Sequence, residues 1–248
     1  AMPTTAGTGT EATKNAVISC YDPPFKKSIR DERIVPCIAL IDPELTVSVP
    51  ATVTAASGMD AITQLLESYL SRKAQPIPQA LALQGLSIAV PAIAEAVRNP
   101  ESREAREAMA HAALLSGMAL ANSGLGMAHG VAAALGVHAR VPHGAACALM
   151  LPAALRVNRE VRQAELVRLS HMLFGKGPSG APEEAVDVLI GEIDSLCEQV
   201  GVPRRLSDVG VSREQIPAIV ESSRGSSMSG NPRELSDGEL TRILEDLL

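Results

Sequence analysis

Aromatic residues are almost missing from this 248-residue chain, which has no Trp, two Tyr and two Phe. A core without them has to be built from Ala, Leu, Val, Ile and Met. Ala and Leu are strong helix formers, so the composition leans helical. Clustered positive charge is missing as well. The formal net charge is −6, which argues against a nucleic-acid groove, because phosphates demand clustered Lys and Arg. No run of like charge is long enough to act as a tail. Cysteines are few and scattered: Cys20, Cys37, Cys147 and Cys197 show no paired spacing. That excludes a disulfide framework or a zinc ribbon and leaves buried or incidental thiols in a reducing, cytoplasmic setting. The apolar runs read as shorter than the ~20 residues that span a bilayer, so no membrane partner is expected. No segment has the pattern of a signal peptide. The opening Ala1-Met2-Pro3-Thr4-Thr5 reads as the middle of a longer protein.

Two patterns divide what is there. Residues 1 to 50 carry β-type runs, Ala16-Val17-Ile18-Ser19 and then Ile34 to Ile41, punctuated by Asp22-Pro23-Pro24 and Asp42-Pro43. They predict a hairpin followed by one buried strand. Such a piece is marginal alone. After Pro50 the apolar residues switch to helical spacing, as in Met59, Ile62, Leu65, Leu66 and Tyr69. Helices are predicted near 55–71, 77–98, 102–121, 127–136, 144–158, 160–174, 183–200, 213–223 and 236–248. Lys176 to Gly180 and Ser226 to Pro232 read as surface loops. The fold class is therefore mainly α: an all-helical domain over 51–248, preceded over 1–50 by a short β-hairpin and strand.

Three residues carry chemistry. His129 lies in Gly126-Met127-Ala128-His129-Gly130 and His143 in Pro142-His143-Gly144, fourteen positions apart and each near the start of a helix. Two such histidines can converge on a divalent metal, or each can simply be satisfied by backbone hydrogen bonds. Asp60, in Gly58-Met59-Asp60-Ala61, sits in an otherwise apolar helix start. Buried there, it needs a partner or a metal; the plainer alternative is an acidic residue favoured by the helix dipole. Gly124-Leu125-Gly126 is not a dinucleotide fingerprint, since His129 stands at the third glycine position and no strand precedes it.

Five segments, in order and at matching separations, resemble the iron-containing (group III) alcohol dehydrogenases along nearly the whole chain. They are Pro3-Thr4-Thr5-Ala6-Gly7-Thr8-Gly9-Thr10-Glu11; Asp42-Pro43-Glu44-Leu45-Thr46 leading to Pro50; Gly58 to Ala61; the His129 helix with Pro142-His143-Gly144, Leu151-Pro152 and Asn158; and Asn231-Pro232-Arg233 before a short acidic helix. The resemblance implies an oxidoreductase that moves a hydride between NAD or NADP and a small alcohol, aldehyde or ketone at a bound Fe2+ or Zn2+. It implies Asp60, His129 and His143 as catalytic metal ligands, and a fourth ligand, a histidine in the family, where this chain has Gln64. Gln64 shares a helix face with Asp60, so its amide oxygen is expected to ligate weakly or hold a water. A further family histidine, placed to shuttle a proton, is Ala133 here, leaving the relay to water, substrate or another side chain such as His138. On the cofactor side the resemblance implies Thr4, Thr5 and Thr8 in the Thr-rich loop, Asn15 on the first hairpin strand and Lys26 on the second. It makes residues 1–50 the tail of an α/β nucleotide-binding domain whose main diphosphate loop lies outside this sequence, so the chain alone is expected to be a poor catalyst. Unpaired edges in that tail favour a homo-oligomer. Two alternatives stay open: a metal-independent reductase, as in the related maleylacetate reductases, or a catalytically inactive helical domain.

Overall fold

The computed structural model describes residues 1–175 and 181–248. The loop expected at Lys176 to Gly180 lies outside the described residues. Among those described, nine α-helices follow one hairpin. The hairpin pairs β1 (Asn15–Tyr21) with β2 (Pro24–Arg30) in antiparallel register, Asn15 opposite Arg30 and Ser19 opposite Lys26.

The buried strand expected over Ile34 to Ile41 does not form. A 3-10 turn spans Glu32–Ile34, and the rest is irregular with Val35, Ile38 and Leu40 exposed. An extended run becomes a strand only with a partner, and here the partner is a single residue: Ala1 donates to the Ile38 carbonyl and accepts from the Leu40 amide.

The helices are α1 (Ala51–Leu70), α2 (Pro76–Arg98), α3 (Arg103–Ala121), α4 (Met127–His138), α5 (His143–Asn158), α6 (Gln163–Phe174), α7 (Pro182–Gln199), α8 (Ile216–Ser222) and α9 (Asp237–Asp246). Helix α1 is buried nearly all round from Gly58 onward, as expected of a helix whose apolar stripe is not confined to one face. It packs on α2, α3 and α5. Met59, Ile62, Leu65 and Leu66 are fully buried, each contributing about 1.5–3 kcal/mol through loss of water contact. By length and composition α2 is long and apolar enough to cross a membrane, contrary to the expectation of no such run. Its Ala82, Leu86, Ala89 and Ile93 are nonetheless fully buried in the core formed with α1 and α3.

Helix α5 joins two apolar clusters. Its Ala148, Leu151 and Leu155 face the core of α1, α2, α3, α6 and α7, while Ala146, Cys147, Met150 and Ala154 face α4, α8 and α9. Pro152 inside α5 lacks an N–H and so cannot bond the carbonyl four residues back. That carbonyl, of Ala148, accepts instead from the buried Cys197 thiol of α7 at 3.9 Å. Two close approaches set the geometry around α1 and α3. A Cβ on Gly144 would collide with the Ala56 carbonyl of α1, and one on Gly117 with the Gly9 carbonyl of the Thr-rich loop. Both contacts require glycine.

The segment Ser226 to Pro232 is not the surface loop expected. Met228, Gly230 and Asn231 are buried, because Asn231 fills a polar role inside. It accepts from the Met127 amide at 3.1 Å and exchanges hydrogen bonds with Asn158.

Candidate metal centre

Asp60 enters the site from the middle of α1, His129 from the first turn of α4 and His143 from the first residue of α5. Asp60 Oδ1 lies 3.3 Å from His129 Nε2 and 3.8 Å from His143 Nε2. The two imidazoles meet edge to face with centroids 5.5 Å apart. Asp60 Oδ1 and His129 Nε2 are both buried without a hydrogen-bond partner. Leaving polar atoms unpaired in the interior costs about 1–3 kcal/mol each, more if charged. Two such atoms aimed at each other fit a site that accommodates a cation.

Orientation comes from Glu67, two turns after Asp60 on α1. Its carboxylate accepts from Nδ1 of His129 at 2.7 Å and from the backbone amides of Gly126 and Ala128 at 2.9 and 2.7 Å. Those amides belong to the start of α4, where N–H groups lack helical partners and the dipole favours an anion. One carboxylate thus caps α4 and turns His129 so that Nε2 faces Asp60. This is the carboxylate–histidine support typical of metal ligands.

The electrostatics follow from burial and neighbours. Burial pushes the Asp60 carboxyl up, but His129 and His143 together outweigh it and hold the net below the usual range. Burial disfavours a charged His129, yet its neighbours Cys147, Asp60 and Glu67 leave it well above its ordinary value. His143 is lowered to about 4, chiefly by burial. It is therefore neutral at physiological pH, as a ligand must be.

The other expected site residues divide. Gln64 is buried on α1, and its amide nitrogen donates to the Thr8 carbonyl at 2.8 Å and to Ser116 Oγ at 2.9 Å. It ties the Thr-rich loop to α1 and α3. Thr4, Thr5 and Thr8 are exposed on that loop. Lys26 reaches the centre, its Nζ 3.4 Å from Nδ1 of His143. Asn15 accepts from Arg30 within the hairpin and lines a separate cleft with Lys14 and Lys73. His138 is bound to Ser222 of α8 at 2.7 Å; nine residues past His129, it sits about 13 Å further along the helix axis.

Two residues at the centre escaped the sequence reading. Glu67 is one. Cys147 is the other: it is buried, with Sγ 3.7 Å from His143 Nε2. The ligand-type atoms of Asp60, His129, His143 and Cys147 all lie within 4.8 Å of one another. Helical spacing was the available signal for both, since Glu67 stands seven residues after Asp60 and Cys147 four after His143, each on the same helix face.

A helical bundle that gathers a carboxylate and two imidazoles around a buried point offers the ligand types that suit a divalent metal. The chain belongs to the iron-containing alcohol dehydrogenases: residues 54–248 match the family's Fe-containing alcohol dehydrogenase C-terminal model. It is 34% identical over 245 residues to the 1,3-propanediol dehydrogenase of Klebsiella pneumoniae, covering 98% of this chain and 63% of that protein. It is 32% identical to the NAD-dependent methanol dehydrogenase of Bacillus methanolicus, covering 100% and 65%. The crystal structure of a 1,3-propanediol oxidoreductase superposes with a TM-score of 0.96 at 32% identity, again covering 100% of this chain and 65% of that one. The chain thus spans less than two thirds of the length of these relatives.

Proposed function

We propose that this chain is the metal-holding part of an NAD(P)-dependent oxidoreductase that interconverts a small alcohol and its aldehyde or ketone. The observation that carries the reading is the convergence of Asp60, His129 and His143 with two buried atoms left unpaired, in a chain whose relatives are named as propanediol and methanol dehydrogenases. When bound, a divalent ion, Fe2+ or Zn2+, supplies Lewis-acid polarisation of the substrate oxygen, and NAD or NADP carries the hydride.

The chain's own residues prepare for that chemistry. Asp60 offers an ionised carboxylate and His143 a neutral imidazole, while Glu67 holds His129 in one orientation. His143, whose side chain is 32% exposed, marks the side open to substrate. Lys26 stands beside it and brings positive charge to the cofactor's side, and the exposed Thr4, Thr5 and Thr8 offer hydroxyls there. Gln64 contributes indirectly, by fixing the carbonyl of Thr8. Residues 1–50 belong, in this proposal, to the nucleotide-binding half. Their exposed Val17, Ile18, Tyr21, Ile38 and Leu40 pack against that half or against a second copy. Four free cysteines support a cytoplasmic setting.

A metal-independent reductase is the second reading. It is favoured by Gln64, which stands where the family resemblance implies a histidine ligand. The enzyme carrying this sequence decides between them. Alcohol-dependent reduction of NAD+ or NADP+ should vanish on chelation, return with Zn2+ or Fe2+, and be lost in His143→Ala. Full activity of metal-stripped His143→Ala enzyme would overturn the metal-dependent reading.

A further inference from the structure

The fourth corner of the centre remains to be assigned, since Gln64 stands where the family resemblance implies a histidine ligand. We propose that Cys147 fills it, so that Asp60 Oδ1, His129 Nε2, His143 Nε2 and Cys147 Sγ form a four-ligand site that selects zinc over ferrous iron. This rests on the reading that the centre holds a divalent ion.

Three observations carry the assignment. The first is spacing. Metal–ligand bonds of about 2.0–2.3 Å in a tetrahedron place the ligand atoms about 3.3–3.8 Å apart. The separations are 3.3 Å for Asp60 to His129, 3.8 Å for Asp60 to His143 and 3.7 Å for Cys147 to His143, with all four ligand atoms within 4.8 Å of one another. The second is the unpaired state of Asp60 Oδ1 and His129 Nε2, both buried and both facing the point that Cys147 also borders. The third is placement. Cys147 follows His143 by one turn of α5, and Gly144 between them lets α5 press against the Ala56 carbonyl of α1. The contact that brings His143 to Asp60 therefore brings the thiol with it.

A buried cysteine often acts only as a small apolar side chain. Cys197 does so here, packed in the core from α7 with its thiol donating to the Ala148 carbonyl of α5. Cys147 differs in facing a carboxylate and two imidazoles. Thiolate is a soft ligand, and a tetrahedral set that includes it favours zinc, which also binds nitrogen, oxygen and sulfur donors more tightly than Fe2+ does. On binding, the S–H bond breaks, its electron pair forms the S–metal bond and the proton leaves to solvent; no oxidant or reductant takes part.

The test is titration of the metal-free 248-residue chain with Co2+, a spectroscopic stand-in for zinc, and with Zn2+ in competition with Fe2+. Wild-type chain should develop a near-ultraviolet sulfur-to-cobalt charge-transfer band. The band should persist in Cys20→Ser and Cys37→Ser and vanish in Cys147→Ser. Zinc affinity in Cys147→Ser should fall by more than the 10–100-fold that loss of a merely supporting residue causes, with the preference for zinc over iron reduced. Circular dichroism of the variants checks that the helices remain. Cobalt binding by wild-type chain without the band, or unchanged zinc affinity in Cys147→Ser, would overturn the cysteine's role and leave the three-ligand site standing. No binding of Co2+ or Zn2+ by the wild-type chain would overturn the metal centre itself.

Discussion

The carboxylate of Glu67 reaches His129 Nδ1 at 2.7 Å while accepting the amide hydrogens of Gly126 and Ala128. One side chain on α1 thus caps α4 and fixes the ring that faces Asp60. Glu67→Ala would strand two backbone donors and free the imidazole. Each lost bond to a charged acceptor is worth about 1.5–3 kcal/mol, so the variant should lose about 3–5 kcal/mol in urea unfolding and about 10–100-fold in zinc affinity. Wild-type zinc affinity in Glu67→Ala would show that the orientation of His129 is set elsewhere.

Gly144 and Gly191 make an internal contrast. An added methyl at Gly144 meets the Ala56 carbonyl, whereas at Gly191, on the exposed side of α7, nothing lies within 4 Å. Gly144→Ala should cost about 1–3 kcal/mol through overpacking and weaken metal binding, because α5 must retreat from α1. Gly191→Ala should gain about 0.5–1 kcal/mol from helix propensity. Thermal unfolding of the pair checks both signs. A Gly144→Ala chain as stable as wild type would mean that the α1–α5 approach is not tight.

Gln64→His restores the residue type implied by the family resemblance and removes two hydrogen bonds to the Thr-rich loop. The expected outcome is a shift in metal preference toward iron in zinc–iron competition. Faster amide hydrogen exchange over residues 5–9 should accompany it. Unchanged exchange there would indicate that Gln64 does not anchor the loop.

Metal binding should release protons. In the metal-free chain the Cys147 thiol is pushed up to about 12 by burial, and His129 stands well above its ordinary value. His143, lowered to about 4, and Asp60, held below its usual range, carry no proton at neutral pH. A cation bound by Sγ must therefore expel the thiol proton, and affinity must rise with pH and weaken as pH falls. Calorimetry in buffers of different ionisation enthalpy counts the protons released. Release of as many protons by Cys147→Ser as by the wild-type chain would exclude the thiolate.

Helix positions were legible because a core of Ala, Leu, Ile, Val and Met repeats at 3.6-residue spacing and few tertiary effects override it. The expected 127–136 and 183–200 differ from α4 and α7 by no more than two residues. The convergence of Asp60, His129 and His143 was legible through the family resemblance, since spacing alone left two unrelated histidines open. The strand over Ile34 to Ile41 was misread because β character in sequence carries no information about whether a pairing edge exists. Asn231 was misread because an Asn-Pro pair marks a turn wherever it lies. Only the fold shows that this turn reaches under α4, where its side chain meets Met127 and Asn158. Glu67 and Cys147 were hidden by ordinariness. A Glu in a helix and a scattered Cys are common, and their roles exist only once α4 and α5 are laid across α1.

The most direct measurement is elemental analysis of the chain purified without chelator, alongside His143→Ala prepared identically. If Asp60, His129 and His143 share one ion, wild-type chain retains stoichiometric zinc or iron and the variant loses it with its helices intact. A wild-type chain free of metal, even after incubation with Zn2+ and Fe2+, or a variant that keeps as much as wild type, would contradict the metal centre.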